Sequence, residues 1–282
     1  MTEKQKEALR KSNEAIHIAG KLSLLDRKLF NVLLFFSFKH LTKKETYVVT
    51  RKELCGLAGF DSKDDSRIKA SLRRLNTTQI EWDILAKKKS QSEWGISTLL
   101  SSVVFKGGKC EYSFSPHLRE KLLNPKIYTL FHLAIQRRFN SGYTLALYEN
   151  LKRYLNVRSS GWIEIKTFRK LIGADTEYYE NFKMLNYRII RPAVEEINKY
   201  SDIVVEPEYK REKRRITAIR FKIKKNKQPS LFKMEEELYK AEAQKCWKST
   251  YGNCAATWDR YKDTTDHACH YCTKFSQQRL NP

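Results

Sequence analysis

Apolar residues in the N-terminal part of the chain recur at intervals of three and four positions, the period of a helix that buries one face. Between Leu24 and Phe38 this stripe consists of Leu25, Leu29, Val32, Leu33 and Phe36. Ser23 and Asp26 carry side chains that can satisfy the exposed amides of a first helical turn. The stretch from Thr50 to Glu53 opens a second predicted helix that ends near Gly59, and a third is predicted from Asp65 to Leu75.

The period then changes to two, which predicts β-strands. Ile80, Trp82 and Ile84 alternate with polar neighbours. A further hairpin is predicted around Gly107 and Gly108, and it places Cys110, Tyr112 and Phe114 on one face. Three helices followed by β-hairpins are the element order of a winged helix-turn-helix.

The same order recurs in the second half of the chain. Helices are predicted from Tyr143 to Leu155, from Ile165 to Ile172, and from Asn181 to Tyr200, where Pro192 interrupts the pattern. A hairpin follows, with apolar residues at Ile203, Val205, Ile219, Phe221 and Ile223. We therefore predict an α+β protein with two tandem winged helix-turn-helix domains, residues 15–125 and 126–226, followed at 227–282 by a charged helix from Met234 to Trp247 and a small Cys-rich C-terminal tail.

The charge of the chain is strongly one-sided. Its 55 Lys and Arg against 32 Asp and Glu give a formal net charge of +23, which attracts polyanions. The uninterrupted apolar run from Val32 to Phe36 is far shorter than the ~20 residues that span a membrane. Residues Met1 to Lys11 lack the apolar segment of a secretory signal. We therefore expect a cytoplasmic protein whose partner is double-stranded DNA and not a membrane.

Basic residues lie opposite the apolar face of the third helix in each unit. A helix of this kind fits the DNA major groove, where a guanidinium can contact guanine O6 and N7. An ordinary solvated basic face has the same sequence pattern. The candidate DNA-binding residues on these helices are Arg67, Lys69, Arg73, Arg74, Lys183, Tyr187, Arg188 and Arg191. The second hairpin adds candidates for phosphate contacts, which are Lys210, Arg211, Lys213, Arg214 and Arg215.

The stretch 182–199 also resembles a known family. Its pattern F-K-x(5)-I-x-R-P-A-V-x-E-I-N, followed by I-T-A-I-R-F at 216–221, is similar to the iteron-binding plasmid replication initiators of the RepB/Pi type. The resemblance covers residues 15–226 and implies two winged-helix domains. It further implies that monomers bind direct repeats at a replication origin and promote opening of nearby duplex, that dimers repress their own gene, and that host replication proteins such as a helicase take part.

The resemblance also implies a homodimer contact in the N-terminal domain. Leu22, Leu29 and Phe36 have the seven-residue spacing of a zipper-like helix. Three apolar residues at this spacing are more often one stripe of a core, since a coiled coil needs at least three heptads. The spacing therefore leaves both interpretations of this helix open.

Cysteines in the tail can supply the thiolates of a structural zinc site. The loop at 269–272 has the C-x2-C spacing of a zinc knuckle. Metal binding would give so short a segment its folding energy, and a disordered tail is the alternative. Cys55 and Cys110 instead lie in predicted core elements. The candidate zinc ligands are Cys246, Cys254, Cys269 and Cys272, with His267 and His270 as substitutes.

The sequence carries no motif that points to catalysis, so we expect a protein that is not an enzyme. A DNA-nicking initiator holds its metal with a His-x-His pair, and none of the six His residues has that spacing. The stretch Gly107 to Cys110 lacks both the spacing and the hydroxyl of a nucleotide-binding loop. A tandem winged-helix transcription regulator without initiator activity is the alternative function.

Overall fold

The computed structural model describes residues 8–12, 22–60, 65–82, 95–123 and 128–226, all within one compact unit that ends at Asn226. Strand β1 (Ala8–Ser12) precedes helix α1 (Leu24–Ser37), whose N-terminus has the predicted capping box. The Ser23 hydroxyl accepts a hydrogen bond from the Asp26 amide, and the Asp26 carboxylate accepts one from the Ser23 amide. Leu29, Val32 and Leu33 are completely buried, so α1 lies at the centre of the first domain.

The helix-turn-helix of the first domain follows α1. Strand β2 (Thr46–Thr50) leads into α2 (Arg51–Ala58), and α3 (Asp65–Thr77) comes next. Gly59 ends α2 with a left-handed φ of +67°, which glycine adopts without the steric cost that a Cβ brings. Ile68, Leu72 and Leu75 of α3 are buried, which confirms the predicted apolar face.

Two antiparallel hairpins complete the first winged helix. Strand β3 (Gln79–Trp82) pairs with β4 (Gly95–Thr98). Strand β5 (Ser102–Lys106) turns into β6 (Lys109–Ser113), and β6 lies between β2 and β5. Its buried Cys110 and Tyr112 face the core, and the Tyr112 hydroxyl donates to the Leu33 carbonyl at 2.5 Å. The sheet is thereby joined to the central helix.

A group of elements between the two winged helices was not evident from the sequence pattern. Helix α4 (Pro116–Leu123) is followed by strand β7 (Tyr128–His132) and helix α5 (Leu133–Arg138). Strand β7 pairs antiparallel with β1, so that Ala8 lies opposite His132. This pairing fastens the first described strand to a segment far along the chain.

The second winged helix begins with α6 (Gly142–Lys152), followed by β8 (Ile163–Glu164) and α7 (Ile165–Ile172). A longer helix comprises α8 (Phe182–Leu185), a π-helical turn (Asn186–Ile190) and α9 (Arg191–Tyr200), and we call it the 182–200 helix. The wing is the hairpin of β9 (Ile203–Glu212) and β10 (Arg215–Lys225), and β10 lies between β8 and β9. The predicted core residues are buried: Ile203, Val205, Ile219, Phe221 and Ile223. The protein is thus α+β, with two tandem winged-helix domains.

A buried polar cluster joins β1, α1, α5 and α6. The Lys11 ammonium donates to Glu149 at 2.9 Å and to Asn31 at 3.2 Å. Asn31 in turn donates to Glu149 at 2.6 Å and to Gln136 at 2.9 Å. Burial lowers the pKa of Lys11, while the Glu149 carboxylate opposes that shift. Because α6 also contacts α7 and α9, it connects this cluster with the second winged helix.

Candidate nucleic-acid interface

The 182–200 helix has one buried and one exposed face. Leu185, Ile189, Ile190, Ala193 and Ile197 are buried against the second domain. The four predicted outward residues are all exposed: Lys183, Tyr187, Arg188 and Arg191. The ring of Tyr187 is 63% exposed, and the Arg188 guanidinium lies over it at 5.5 Å from the centroid. The helix therefore offers cationic and aromatic groups on one side, a combination suited to base edges and the sugar-phosphate backbone.

The π-helical turn explains how this helix contains a proline. Pro192 has no amide hydrogen, and its ring would collide with the carbonyl four residues earlier in a regular α-helix. In the structure, the Arg191 amide donates to the Asn186 carbonyl, five residues back, and the chain widens from Asn186 to Ile190. The helix consequently continues through Pro192, and its irregular segment lies just before the proline. Tyr187 and Arg188 both lie within that segment.

The tip of the wing is positively charged and exposed. Lys213 adopts a left-handed φ of +54° at the turn between β9 and β10. Lys210 lies 3.1 Å from Glu212, a pair that is well exposed on both sides and therefore weak. The five predicted phosphate-binding residues of the wing are all exposed: Lys210, Arg211, Lys213, Arg214 and Arg215.

At the base of the same wing, basic side chains are paired with a carboxylate. The Glu208 carboxylate on β9 pairs with Arg220 and Lys222 on β10, each at 2.5 Å. Hydrogen bonds from Lys222 and Arg220 lower the pKa of Glu208. The Arg220 guanidinium also lies 4.7 Å from the ring centroid of Trp162. The basic pair at the base of the wing is thus held by Glu208, in contrast to the exposed cations at the tip.

On the first winged helix, all four candidate residues of α3 are exposed: Arg67, Lys69, Arg73 and Arg74. Arg67 lies over the Phe60 ring at 4.7 Å. Arg74 differs, because its guanidinium donates to both carboxylate oxygens of Asp26 at 2.8 to 3.1 Å. The role of Arg74 in DNA binding stays a prediction, whereas its hydrogen bonds to Asp26 link α3 to α1.

Asp26 is a residue whose importance the sequence only partly indicated. Its side chain is completely buried and accepts hydrogen bonds from Ser23, Ser71 and Arg74. Burial raises the pKa of Asp26, but these hydrogen bonds together outweigh it and leave the pKa below the ordinary value. Asp26 was recognisable as a helix cap, whereas its partners on α3 are 45 and 48 positions away.

The candidate zinc ligands Cys246, Cys254, Cys269 and Cys272 lie outside the described residues. Within the described ranges, no group of three or more His, Cys, Asp or Glu residues could hold a metal ion. Cys55 and Cys110 are buried, and burial raises the pKa of the Cys110 thiol to about 12. Among the described helices, none is long and apolar enough to cross a membrane.

Two models of one protein family match the chain. The model described as "Initiator Replication protein, WH1" matches residues 8–152, and the one described as "Initiator Rep protein, WH2" matches residues 164–223. No curated protein matches the chain significantly. Among solved structures, a crystal structure of selenomethionine derivatives of domains 2 and 3 of RctB shares 15% identity at a TM-score of 0.44, covering 72% of this chain and 82% of that one. A second RctB structure, of domains 2–3, shares 13% identity at a TM-score of 0.40, covering 70% and 81%.

The two family models together include α3, the 182–200 helix and nearly all of the wing. The structure likewise shows two winged helices in tandem. The chain therefore belongs to the Rep3 family of initiator replication proteins and is an initiator of DNA replication.

Proposed function

We propose that this protein starts replication of a plasmid by binding direct repeats at the origin and promoting opening of the adjacent duplex. The observation that carries the proposal is the exposed row of Lys183, Tyr187, Arg188 and Arg191 on a helix whose opposite face is buried. A helix anchored in this way keeps its orientation when its outer side chains enter the major groove.

The two parts of the second winged helix divide the work of recognition. Arg188 and Arg191 have the planar guanidinium that can hydrogen-bond guanine O6 and N7. The tip of the wing carries Lys213, Arg214 and Arg215, which suit phosphates and fix the position of the protein along the duplex. The helix accordingly supplies sequence preference, and the wing supplies affinity for any sequence.

The first winged helix adds a second set of contacts through Arg67, Lys69 and Arg73. Because both winged helices belong to one compact unit, their contacts with one repeat add without the entropy cost of joining two separate molecules. The free energy of these combined contacts can offset the roughly 1–6 kcal/mol that bending a duplex site costs. Opening of the duplex is then driven by the free energy of binding. A host helicase and other replication proteins act on the opened strand.

We also propose that a homodimer of the protein represses its own gene. Repression and initiation require the same reading helix, so one protein can serve both through different oligomeric states. A reporter gene placed behind the upstream region of the gene should be expressed less when the protein is supplied. An unchanged reporter would contradict the repressor role alone.

The direct test of initiation is autonomous replication. The gene and its flanking DNA are joined to a selectable molecule that lacks an origin, and transformants are counted. Wild-type protein should give stable transformants, Arg188→Ala together with Arg191→Ala should not, and Arg220→Ala serves as the matched arginine control. Repression of the reporter without any transformants would identify a transcription regulator and contradict the initiator proposal.

A further inference from the structure

A tyrosine of the wing contacts the π-helical turn of the 182–200 helix. The Tyr209 hydroxyl on β9 donates to the Asn186 side-chain oxygen at 2.9 Å. The Tyr209 ring also meets Phe182 edge to face, with the centroids 5.2 Å apart. Phe182 and Asn186 lie one helical turn apart, so Tyr209 contacts the helix at the place where its α-helical start gives way to the π-helical turn.

The position of a π-helical turn needs to be specified by something other than the backbone. Such turns are rare and are generally less favourable than regular α-helix. Pro192 disfavours a regular α-helix before it, but its missing amide does not determine at which residue the irregular turn starts. Asn186 is the first residue of the turn and its carbonyl accepts the amide of Arg191. A hydrogen bond to the Asn186 side chain therefore favours a turn that starts there.

The start of this turn controls where the reading side chains point. Moving the extra residue by one position rotates the intervening side chains by ~100° around the helix axis. Tyr187 and Arg188 lie inside the turn, whereas Arg191 follows it. The direction of Tyr187 and Arg188 relative to Arg191 thus depends on the turn staying between Asn186 and Ile190.

We propose that Tyr209 is a positioning residue for sequence reading: it holds the π-helical turn in place and so aligns Arg188 with Arg191. This inference rests on the proposed function, in which these arginines read the repeat. Under this proposal the wing has two roles. Its tip contacts phosphates, and Tyr209 on β9 supports the 182–200 helix that contacts the bases.

The test uses Tyr209→Phe, which keeps the ring against Phe182 and removes only the hydroxyl. Tyr47→Phe is the matched control, since the Tyr47 hydroxyl donates to the Lys44 carbonyl at 2.6 Å in the first domain. Binding of the whole protein is titrated against a duplex carrying the repeats of its own origin and against a shuffled duplex. Tyr209→Phe should lower the ratio of the two affinities about fivefold, the effect of one hydrogen bond, and Tyr47→Phe should leave it unchanged.

Two further measurements separate positioning from a general loss of stability. In an Arg188→Ala background, Tyr209→Phe should cause little additional loss, because residues that act as a unit are not additive. Without DNA, the Arg191 amide should exchange its hydrogen faster in Tyr209→Phe than in wild type or Tyr47→Phe. Additive losses, or unchanged Arg191 exchange, would overturn the role of Tyr209. A wild-type protein that does not distinguish the duplexes would instead overturn the proposed function, and the exchange result would still decide whether Tyr209 holds the turn.

Discussion

Arg74 and Arg188 are both exposed arginines on the third helix of a winged helix, but their surroundings differ. The Arg74 guanidinium is hydrogen-bonded to the buried carboxylate of Asp26. Arg188 instead lies over the exposed ring of Tyr187. At the scale of single residues, the first arginine therefore contributes to the stability of the fold, and the second is available to a partner.

Replacing Arg188 or Arg191 by Ala should reduce sequence preference. Loss of a guanidinium that contacts a base should cost roughly 1 to 3 kcal/mol on the cognate repeat and much less on shuffled DNA. Replacing Lys213 or Arg214 should weaken both duplexes alike and reduce the slope of log K against log salt by about 0.9 per lost phosphate contact. Titrations of each variant against both duplexes at two salt concentrations measure the two effects.

Arg220→Ala is the control for these variants, because Arg220 is held by Glu208 and Trp162 at the base of the wing. It should leave the preference for the cognate repeat intact. If neither Arg188→Ala nor Arg191→Ala changes the ratio of cognate to shuffled affinity, the 182–200 helix is not the reader. Arg67, Lys69 and Arg73 of the first domain would then be the better candidates.

Asp26→Asn should destabilise the protein by about 1–3 kcal/mol, because buried donors lose a charged acceptor. The pKa of Asp26 is lowered in the folded state, so its contribution is present at neutral pH and is lost as pH falls through that lowered pKa. Wild type should accordingly lose its advantage over Asp26→Asn below about pH 4. Urea unfolding at several pH values measures this difference.

Asp65→Asn provides the comparison, since Asp65 pairs with Arg51 while its side chain is 36% exposed. Its cost should be below about 1 kcal/mol. Equal losses for the two Asn variants, or a difference that does not depend on pH, would contradict the role given to Asp26.

The sequence predicted which residues of α3 and of the 182–200 helix are exposed, because helical periodicity alone determines that division. Tyr187, Arg188 and Arg191 are where the apolar pattern of Leu185 and Ile189 requires them to be. The contact between Arg74 and Asp26 was beyond prediction, since it joins residues 48 positions apart in sequence. The bond between Tyr209 and Asn186 depends likewise on how a strand packs on a helix.

At the scale of elements, α6 is a helix that packs against both domains. It contacts α1 of the first domain and α7 and α9 of the second. Its Glu149 lies in the buried cluster with Lys11 and Asn31, where the side chains of Glu149 and Lys11 are 4% and 5% exposed. A charged group in such a place is stabilising only while its partner is present.

Glu149→Ala should therefore cost about 3–5 kcal/mol, because it leaves the Lys11 ammonium buried without a counter-charge. Glu149→Gln should cost less, since its amide oxygen can still accept a hydrogen bond. Glu45→Ala is the matched control: it removes an ion pair with Arg119 in which Glu45 is 85% exposed, and should cost less than about 1 kcal/mol. Urea unfolding compares the three variants, and equal costs for Glu149→Ala and Glu45→Ala would contradict this account.

Helices and hairpins with a clear period were predictable, and elements made by long-range pairing were not. The capping boxes at Ser23 and Thr50 and the turn at Gly107 and Gly108 are local signals that the structure confirms. Strands β1 and β7 have no such signal, because each becomes a strand by pairing with the other across the whole first domain. The π-helical turn is hidden for a related reason, since Pro192 predicts an irregular helix without specifying its form.

At the scale of the whole molecule, the Lys and Arg side chains that give the net charge of +23 have two kinds of surroundings. Some are paired with carboxylates, such as Lys222 with Glu208 and Lys152 with Asp202. Others, including those on the wing tip and the outer face of the 182–200 helix, are exposed. Exposed cations favour a polyanionic partner, since each phosphate that they neutralise releases counterions condensed on the DNA.

We also predict one structural zinc in the C-terminal tail, where four thiolates are available at Cys246, Cys254, Cys269 and Cys272. Metal analysis of the purified protein should find about one zinc per chain. Cys269→Ser should lose the metal, whereas Cys55→Ser should keep it because Cys55 is buried in the first domain. Equal zinc in the full chain and in a chain that ends at Asn226 would contradict a site in the tail.

The central claim, that this initiator reads repeated duplex sites, is tested most directly by footprinting the protein on the DNA that flanks its own gene. We expect several protected segments of equal length in the same orientation, spaced at regular intervals beside an A·T-rich region. Protection of all these segments should weaken as the salt concentration rises, as counterion release requires. A single inverted site, or uniform protection without sequence preference, would contradict the claim.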